Sequence, residues 1–206
     1  MRGKSSNIGI GPAQDRILRE EREAQNGHRA AVLWMTGLSG SGKSTLSQHL
    51  ERALFARGCR VVVMDGDILR GGICSDLGFS LPDRTENIRR AGEISRLFVE
   101  TGMIVVTAFI SPLRQDREIV RSLFAPGEFL EVHCDATLEI CEQRDVKGLY
   151  QKAREGLIAE FTGISSPYEI PENPEFRVKT AEHEVSQCID QILEGLETRG
   201  IISVIK

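Results

Sequence analysis

A chain of 206 residues, 40% hydrophobic and 27% charged, is long enough to bury one sizeable core and short enough for a single domain, since domains run to about 100 to 200 residues. Its formal charge of -4 excludes a bulk attraction to nucleic acid or an anionic membrane surface, so an anionic ligand has to be held by a local group of cations. The five cysteines (Cys59, Cys74, Cys134, Cys141, Cys188) include no CxxC pair and no metal-spaced Cys/His cluster. With no apolar run of signal-peptide or membrane-span character, they read as reduced thiols of a cytoplasmic protein.

Residues 1–29 read as an N-terminal extension and 30–206 as the domain proper. Within the extension, residues 1–12 (MRGKSSNIGIGP) are Gly- and Ser-rich and expected to be mobile, and the charged stretch Ala13 to Gln25 is expected to form a short helix. From residue 30 apolar segments (AAVLWMTG, CRVVVMDG, MIVVTAFI, FLEVHCDA) alternate with helix-like ones (KSTLSQHLERALFARG, DRTENIRRAGEISRLFVETG, RQDREIVRSLF), which predicts an α/β fold around a parallel sheet. RVVVM and MIVVTAF are continuously apolar, as strands covered by helices on both faces must be, and are expected in the middle of the sheet. Gly58 and Gly102 are placed to end helices in the left-handed conformation. Beyond Thr137 a helix through Arg144, a charged segment DVKGLYQKAREG, a Pro-rich loop SSPYEIPENPE, a short strand FRVKT and an amphipathic helix from about Glu184 to Leu196 complete about five strands with their helices.

Residues 37–44 read GLSGSGKS and match GxxxxGK[ST] at every fixed position, between an apolar strand and a helical run. In such a loop Gly37, Gly40 and Gly42 let the backbone N–H groups turn toward an anion, with Leu38, Ser39 and Ser41 filling the turn, and the following helix aims its positive end at the same point. Lys43 brings a charge to the β- and γ-phosphates of ATP, the Ser44 hydroxyl is placed to ligate Mg²⁺, and Leu38, Ser39, Ser41 and Thr45 complete the candidate ATP-binding set of the loop. The chain has no NKxD guanine-reading motif, which leaves a small-molecule kinase as the leading class.

VVVMDGD ends the second strand with Asp65 and Asp67, at the carboxyl end where open parallel sheets bind their ligands. One carboxylate can hold Mg²⁺ and the other can accept the proton of an attacking hydroxyl; the spacing alone does not divide the roles, and an Asp in such a turn also caps helices.

Together GLSGSGKST, DGD followed by Arg70 and CSDLGFS, then DRTENIRRAGE, TAFISP, CEQRD with KGLYQKAREG, and FTGISSPYE resemble the adenylyl-sulfate kinase family over about residues 30 to 180. The resemblance implies a P-loop three-layer α/β sandwich with a mobile lid at about 145–165. It implies Mg²⁺-dependent transfer of the ATP γ-phosphoryl to the 3'-hydroxyl of adenosine 5'-phosphosulfate in sulfate assimilation. It further implies a homodimer and a sulfate adenylyltransferase as the partner enzyme. By the same resemblance Lys43 and Asp67 are catalytic, Asp65 joins Ser44 at the metal, and Arg144 lies on the adenine of ATP. Phe79 and Phe161 sandwich the acceptor adenine, Arg70, Arg84 and Asn87 hold its phosphosulfate and ribose, and the main chain at Ile110 meets the base. Lys147 is a lid cation over the substrates, beside Lys152 and Arg154. Ser111 in FISP marks a phosphoserine intermediate, although direct in-line transfer needs none. Arg89 and Arg90 are further candidate cations.

One residue departs from the family pattern: Ile68 follows Asp67 where DGDN is usual, and losing an amide contact there costs about 1 kcal/mol if its partner stays buried. Two alternatives stay open, another P-loop kinase acting on a sugar or nucleoside monophosphate, and a weakened nucleotide-binding module for which Ile68 is the only support.

Overall fold

The structure, a computed structural model, describes residues 16–204. Residues 1–12, expected to be mobile, lie outside the described residues; of the expected helix at Ala13 to Gln25, the described part is α1 (Arg19–Asn26). It is joined to the rest of the chain by Arg19 to Glu128 at 2.8 Å, Ala30 N–H to Glu23 at 2.8 Å and Asn26 to the Gly102 carbonyl at 2.9 Å.

Five parallel strands, β1 (Ala31–Thr36), β2 (Val61–Asp65), β3 (Ile104–Ala108), β4 (Phe129–Cys134) and β5 (Phe176–Val178), lie in the order β2-β3-β1-β4-β5. β1 is wholly buried and serves two cores by alternation. Leu33 and Met35 join Leu50 and Leu54 of α2 (Lys43–Ala56) and Ile192 and Leu196 of α8 (Val185–Thr198) on one face. Val32 and Trp34 join Ile88 and Ala91 of α4 (Leu81–Glu100) and Val120 of α5 (Arg114–Arg121) on the other. This is the three-layer sandwich, in which a strand between two helical layers is apolar on both faces over most of its length. Gly58 and Gly102 have φ of 80° and 83°, as the αL helix endings required.

The expected position of RVVVM is corrected: β2 is an edge strand. Val61 and Val63 face one core and Val62 and Met64 the other, but the three valines are only half-buried, whereas every residue of β3 is buried. Continuous apolarity records helices on both faces; it carries no information on whether a further strand lies beside it.

The register brings the strand ends level, with Asp65 paired to Ala108, Ala108 to Met35, and Met35 to Val132. The segments that leave the carboxyl ends of β1, β2, β3 and β4 therefore open on one side of the sheet, where ligands of such sheets bind. Two short helices the sequence pattern did not separate border this side, α3 (Gly66–Arg70) and α7 (Leu149–Arg154); α6 (Leu138–Arg144) is as expected. α7 is not a plain solvated helix: Tyr150 and Ala153 form a third buried cluster with Cys141 and Phe161. All five cysteines are free and buried, and no helix among the described residues is long and apolar enough to cross a membrane.

Candidate active site

One cavity of about 1060 Å³ runs along the carboxyl ends of the strands and takes residues from Ser39 to Cys188. At one end is the Gly37 to Ser44 loop, of which Ser39, Gly40 and Gly42 to Ser44, with Thr45, line the cavity, while Gly37, Leu38 and Ser41 lie behind it. Glycine is required where the loop passes other backbone: a Cβ on Gly37 would come within 2.8 Å of the Cys134 carbonyl oxygen and one on Gly40 within 2.8 Å of that of Cys141. Lys43 opens α2 and is buried, its Nζ donating to the carbonyls of Gly37 (2.8 Å) and Leu38 (2.6 Å). Burial disfavours the ammonium and lowers its pKa to about 8.

At the end of β2 Asp65 uses one oxygen for each of two contacts. Oδ1 accepts from the Asp67 N–H at 3.0 Å and caps α3, and Oδ2 accepts from the Ser44 hydroxyl at 2.8 Å. A hydroxyl and a carboxylate beside the phosphate loop are hard oxygen donors and fit Mg²⁺, which takes one or two protein ligands and otherwise phosphates and water. Among the described residues no group of three or more His, Cys, Asp or Glu gathers that could hold a metal by itself. Asp67 lines the cavity and pairs with Lys147, both side chains more than half exposed. That contact lifts the Lys147 pKa, the hydrogen bond to Asp67 being its main cause.

α3 leads from these carboxylates to the other end of the cavity. Arg70, its last residue, donates to the Gly78 carbonyl at 2.5 Å and sits 4.4 Å from the centre of the Phe79 ring, with the Arg84 guanidinium 5.7 Å from the same ring. Phe79 is 60% exposed and lines the cavity, so it is not a core aromatic. Arg84 also donates to the Glu160 carbonyl at 3.1 Å, next to Phe161, which is buried and meets Tyr150 edge-on at 5.0 Å. Asn87 lines the same end, and its Oδ1 is buried without a hydrogen-bond partner. Arg89 and Arg90 are not brought here: they pair with Glu86, and Arg90 also with Asp76.

A model described as adenylylsulphate kinase matches residues 29–179. The chain belongs to the adenylylsulphate kinase family. It is 55% identical over 199 residues to an adenylyl-sulfate kinase of Acaryochloris marina, covering 97% of this chain and 96% of that relative. Its structure is similar to that of a Mycobacterium tuberculosis APS kinase in complex with AMPPNP and APS, with a TM-score of 0.79 and 44% identity over 82% of this chain and 99% of that one. A gluconokinase of Sinorhizobium meliloti, at a TM-score of 0.51 and 19% identity over 85% of this chain and 94% of that one, shares the fold alone.

The remaining residues that the family pattern singled out fall unevenly. Ile110 lines the cavity, and its carbonyl accepts from the Thr36 hydroxyl at 2.7 Å. Ser111 also borders it but is 1% exposed, with φ at 38°, its Oγ accepting from the Trp34 indole at 3.2 Å and its carbonyl from Arg117 at 2.6 Å. Arg144 lines the cavity while donating to the carbonyls of Gly40 (3.2 Å) and Thr180 (2.8 Å). Of the charged segment, Lys147 faces the cavity; Arg154 turns away to Glu142 at 2.9 Å, and Lys152 does not line it. Ile68 is 70% exposed and outside the lining, and the buried side-chain atoms without a partner (on Asn87, Glu131, Thr162 and Ser166) include none in α3.

Sequence reasoning missed two members. Tyr150 donates from its hydroxyl to the Ser39 carbonyl at 2.9 Å, and Thr180 from its own to the Ser41 carbonyl at 2.8 Å. Tyr150 lay in plain view within KGLYQKAREG, an aromatic among charges, and that contrast was its signal. Thr180 had none, because its contact depends on where β5 ends against the loop.

Proposed function

We propose that the protein transfers the γ-phosphoryl group of ATP to the 3'-hydroxyl of adenosine 5'-phosphosulfate, giving 3'-phosphoadenosine 5'-phosphosulfate. The observation that carries this is the single cavity joining a phosphate loop to an aromatic and cationic end through the Asp65 to Arg70 segment.

In this reading the loop N–H groups and Lys43 hold the donor phosphates, and Arg144 covers the donor adenine, where a guanidinium plane stacks well. Phe79 and Phe161 enclose the acceptor adenine, and Arg70, Arg84 and Asn87 meet its phosphosulfate and ribose. Asp67 accepts the proton of the 3'-hydroxyl as the O–P bond forms and the ADP oxygen leaves. Ser44 and Asp65 would hold Mg²⁺, whose chemistry is to neutralise charge on the transferring phosphoryl group. Transfer is direct: Ser111 acts through its place in the cavity wall, a reading supported by its burial and its hydrogen bond from Trp34. Residues 145–165 act as a lid that brings Lys147 over the reacting groups and excludes water. The same reading makes the protein a cytoplasmic homodimer fed by a sulfate adenylyltransferase, supported by the family resemblance.

The test is product formation with Mg²⁺, ATP and a panel of acceptors. Preferential formation of the 3'-phosphorylated sulfonucleotide is expected; a preference for a non-sulfated acceptor, or nucleotide binding with no transfer, overturns it.

A further inference from the structure

A phosphate loop that turns its N–H groups inward must turn its carbonyls outward, and each outward carbonyl needs a donor if it is to stay buried. Gly37 and Leu38 are served by Lys43, Gly40 by Arg144 and Ser41 by Thr180. The Ser39 carbonyl is served from α7, by the Tyr150 hydroxyl. Tyr150 is 1% exposed and belongs to the cluster of Cys141, Ala153 and Phe161. Its ring stands at 76° to that of Phe161, 5.0 Å between centres, an edge-to-face contact. Its own backbone N–H is tied to Asp145 Oδ1 at 3.1 Å, and the Phe161 N–H to Ser165 Oγ at 3.0 Å, so the main chain is anchored at both residues.

We propose that Tyr150 is a positioning residue that sets both halves of the cavity at once, its hydroxyl fixing the phosphate loop at Ser39 and its ring edge fixing Phe161. The loop arm stands on the geometry alone; the Phe161 arm rests on the reading of Phe161 as the acceptor-base wall. One side chain of α7 thus aligns donor and acceptor, and the two contacts are separable chemically. Tyr150→Phe removes the hydroxyl and keeps the ring; Tyr150→Leu removes both contacts.

The experiment measures three quantities on wild type and both variants: the Kd of a non-hydrolysable ATP analogue by calorimetry, the separate KM values for ATP and acceptor, and Tm. Tyr150→Phe is expected to raise the analogue Kd and the ATP KM by about 2- to 10-fold, the effect of one net hydrogen bond, with the acceptor KM unchanged. Tyr150→Leu is expected to raise both KM values. A Tyr150→Phe variant with a lowered Tm but unchanged analogue Kd and KM values overturns the proposal and leaves Tyr150 a packing residue. Should Tyr150→Leu not fold, Tyr150→Phe decides the loop arm. Calorimetry uses no acceptor, so a wild-type protein inactive on adenosine 5'-phosphosulfate would sink the proposed function while the loop arm is still judged.

Discussion

Lys43 carries the sharpest conflict in the molecule between folding and function. Its ammonium is buried, and the pKa near 8, against 10.5 in an exposed lysine, is caused first by desolvation. The unfolded chain binds this proton more tightly than the native one, so between about pH 8 and 10.5 the contribution of Lys43 to the stability of the free protein rises with pH, against the fall contributed by the buried thiols, whose pKa values burial pushes up; below about 8 the lysine's penalty is constant. Replacement by Met, of similar length and uncharged, is expected to abolish that rise in denaturant titrations across pH 7.5 to 10 and to eliminate transfer. Nucleotide binding runs the other way. Above about pH 8 the free protein must take up a proton to meet the phosphates with a charged Lys43, so ATP affinity falls as pH rises, by at most tenfold per unit, while the Met variant shows no such fall. The GKS signature told that a lysine belongs here, but not that it is held by Gly37 and Leu38, since that depends on which carbonyls the folded loop presents.

At the level of elements, α5 is locked to β4 by a buried charge pair, and the lock reaches the cavity. The Arg117 guanidinium is 2% exposed, lies 2.6 Å from Glu131 Oε1, and donates to the carbonyls of Ser111 (2.6 Å) and Glu169 (2.8 Å). Ser111 needs such anchoring because a non-glycine residue at φ 38° is strained. Removing Arg117 alone leaves Glu131 buried with only the longer contact to Arg121, at 3.3 Å. Arg117→Met is therefore expected to cost about 3 kcal/mol in urea denaturation, and adding Glu131→Gln to recover part of it; a double variant no more stable than Arg117→Met would show that the stranded Glu131 charge is not the source of the loss. RQDREIV was legible as a helix, yet nothing in its spacing marks Arg117 rather than Arg114 or Arg121 as the buried one. Arg114 instead pairs at the surface with Glu172. The charged segment DVKGLYQKAREG had the opposite fate: its charges drew notice, and its buried Tyr150 carries the contact to the loop.

Across the whole molecule, the cavity is assembled from segments as far apart as Ser39 and Cys188, so a ligand that bridges them binds the native chain and not the unfolded one. Saturation with ATP analogue and acceptor product at 100 times their dissociation constants should raise unfolding free energy by about 2.7 kcal/mol for each independent site. A thermal-shift titration in which the two ligands together give no more than one alone would argue against a two-nucleotide cavity.

What the sequence by itself determined is local in origin. The GLSGSGKS loop, the βα alternation and the DGD at a strand end are written in consecutive residues, because a phosphate cradle, a two-faced strand and a helix cap are each made by a few neighbours. The family motifs added the rest of the candidate set on resemblance. Only the tertiary structure decided that β2 lies at the edge, that Ile68 faces outward while Phe79 faces the cavity, that Arg89 and Arg90 are spent on Glu86, and that Tyr150 and Thr180 hold the loop. Each of these depends on which distant segment lies alongside. Side-chain periodicity reports which face of an element is apolar, but not what stands opposite it.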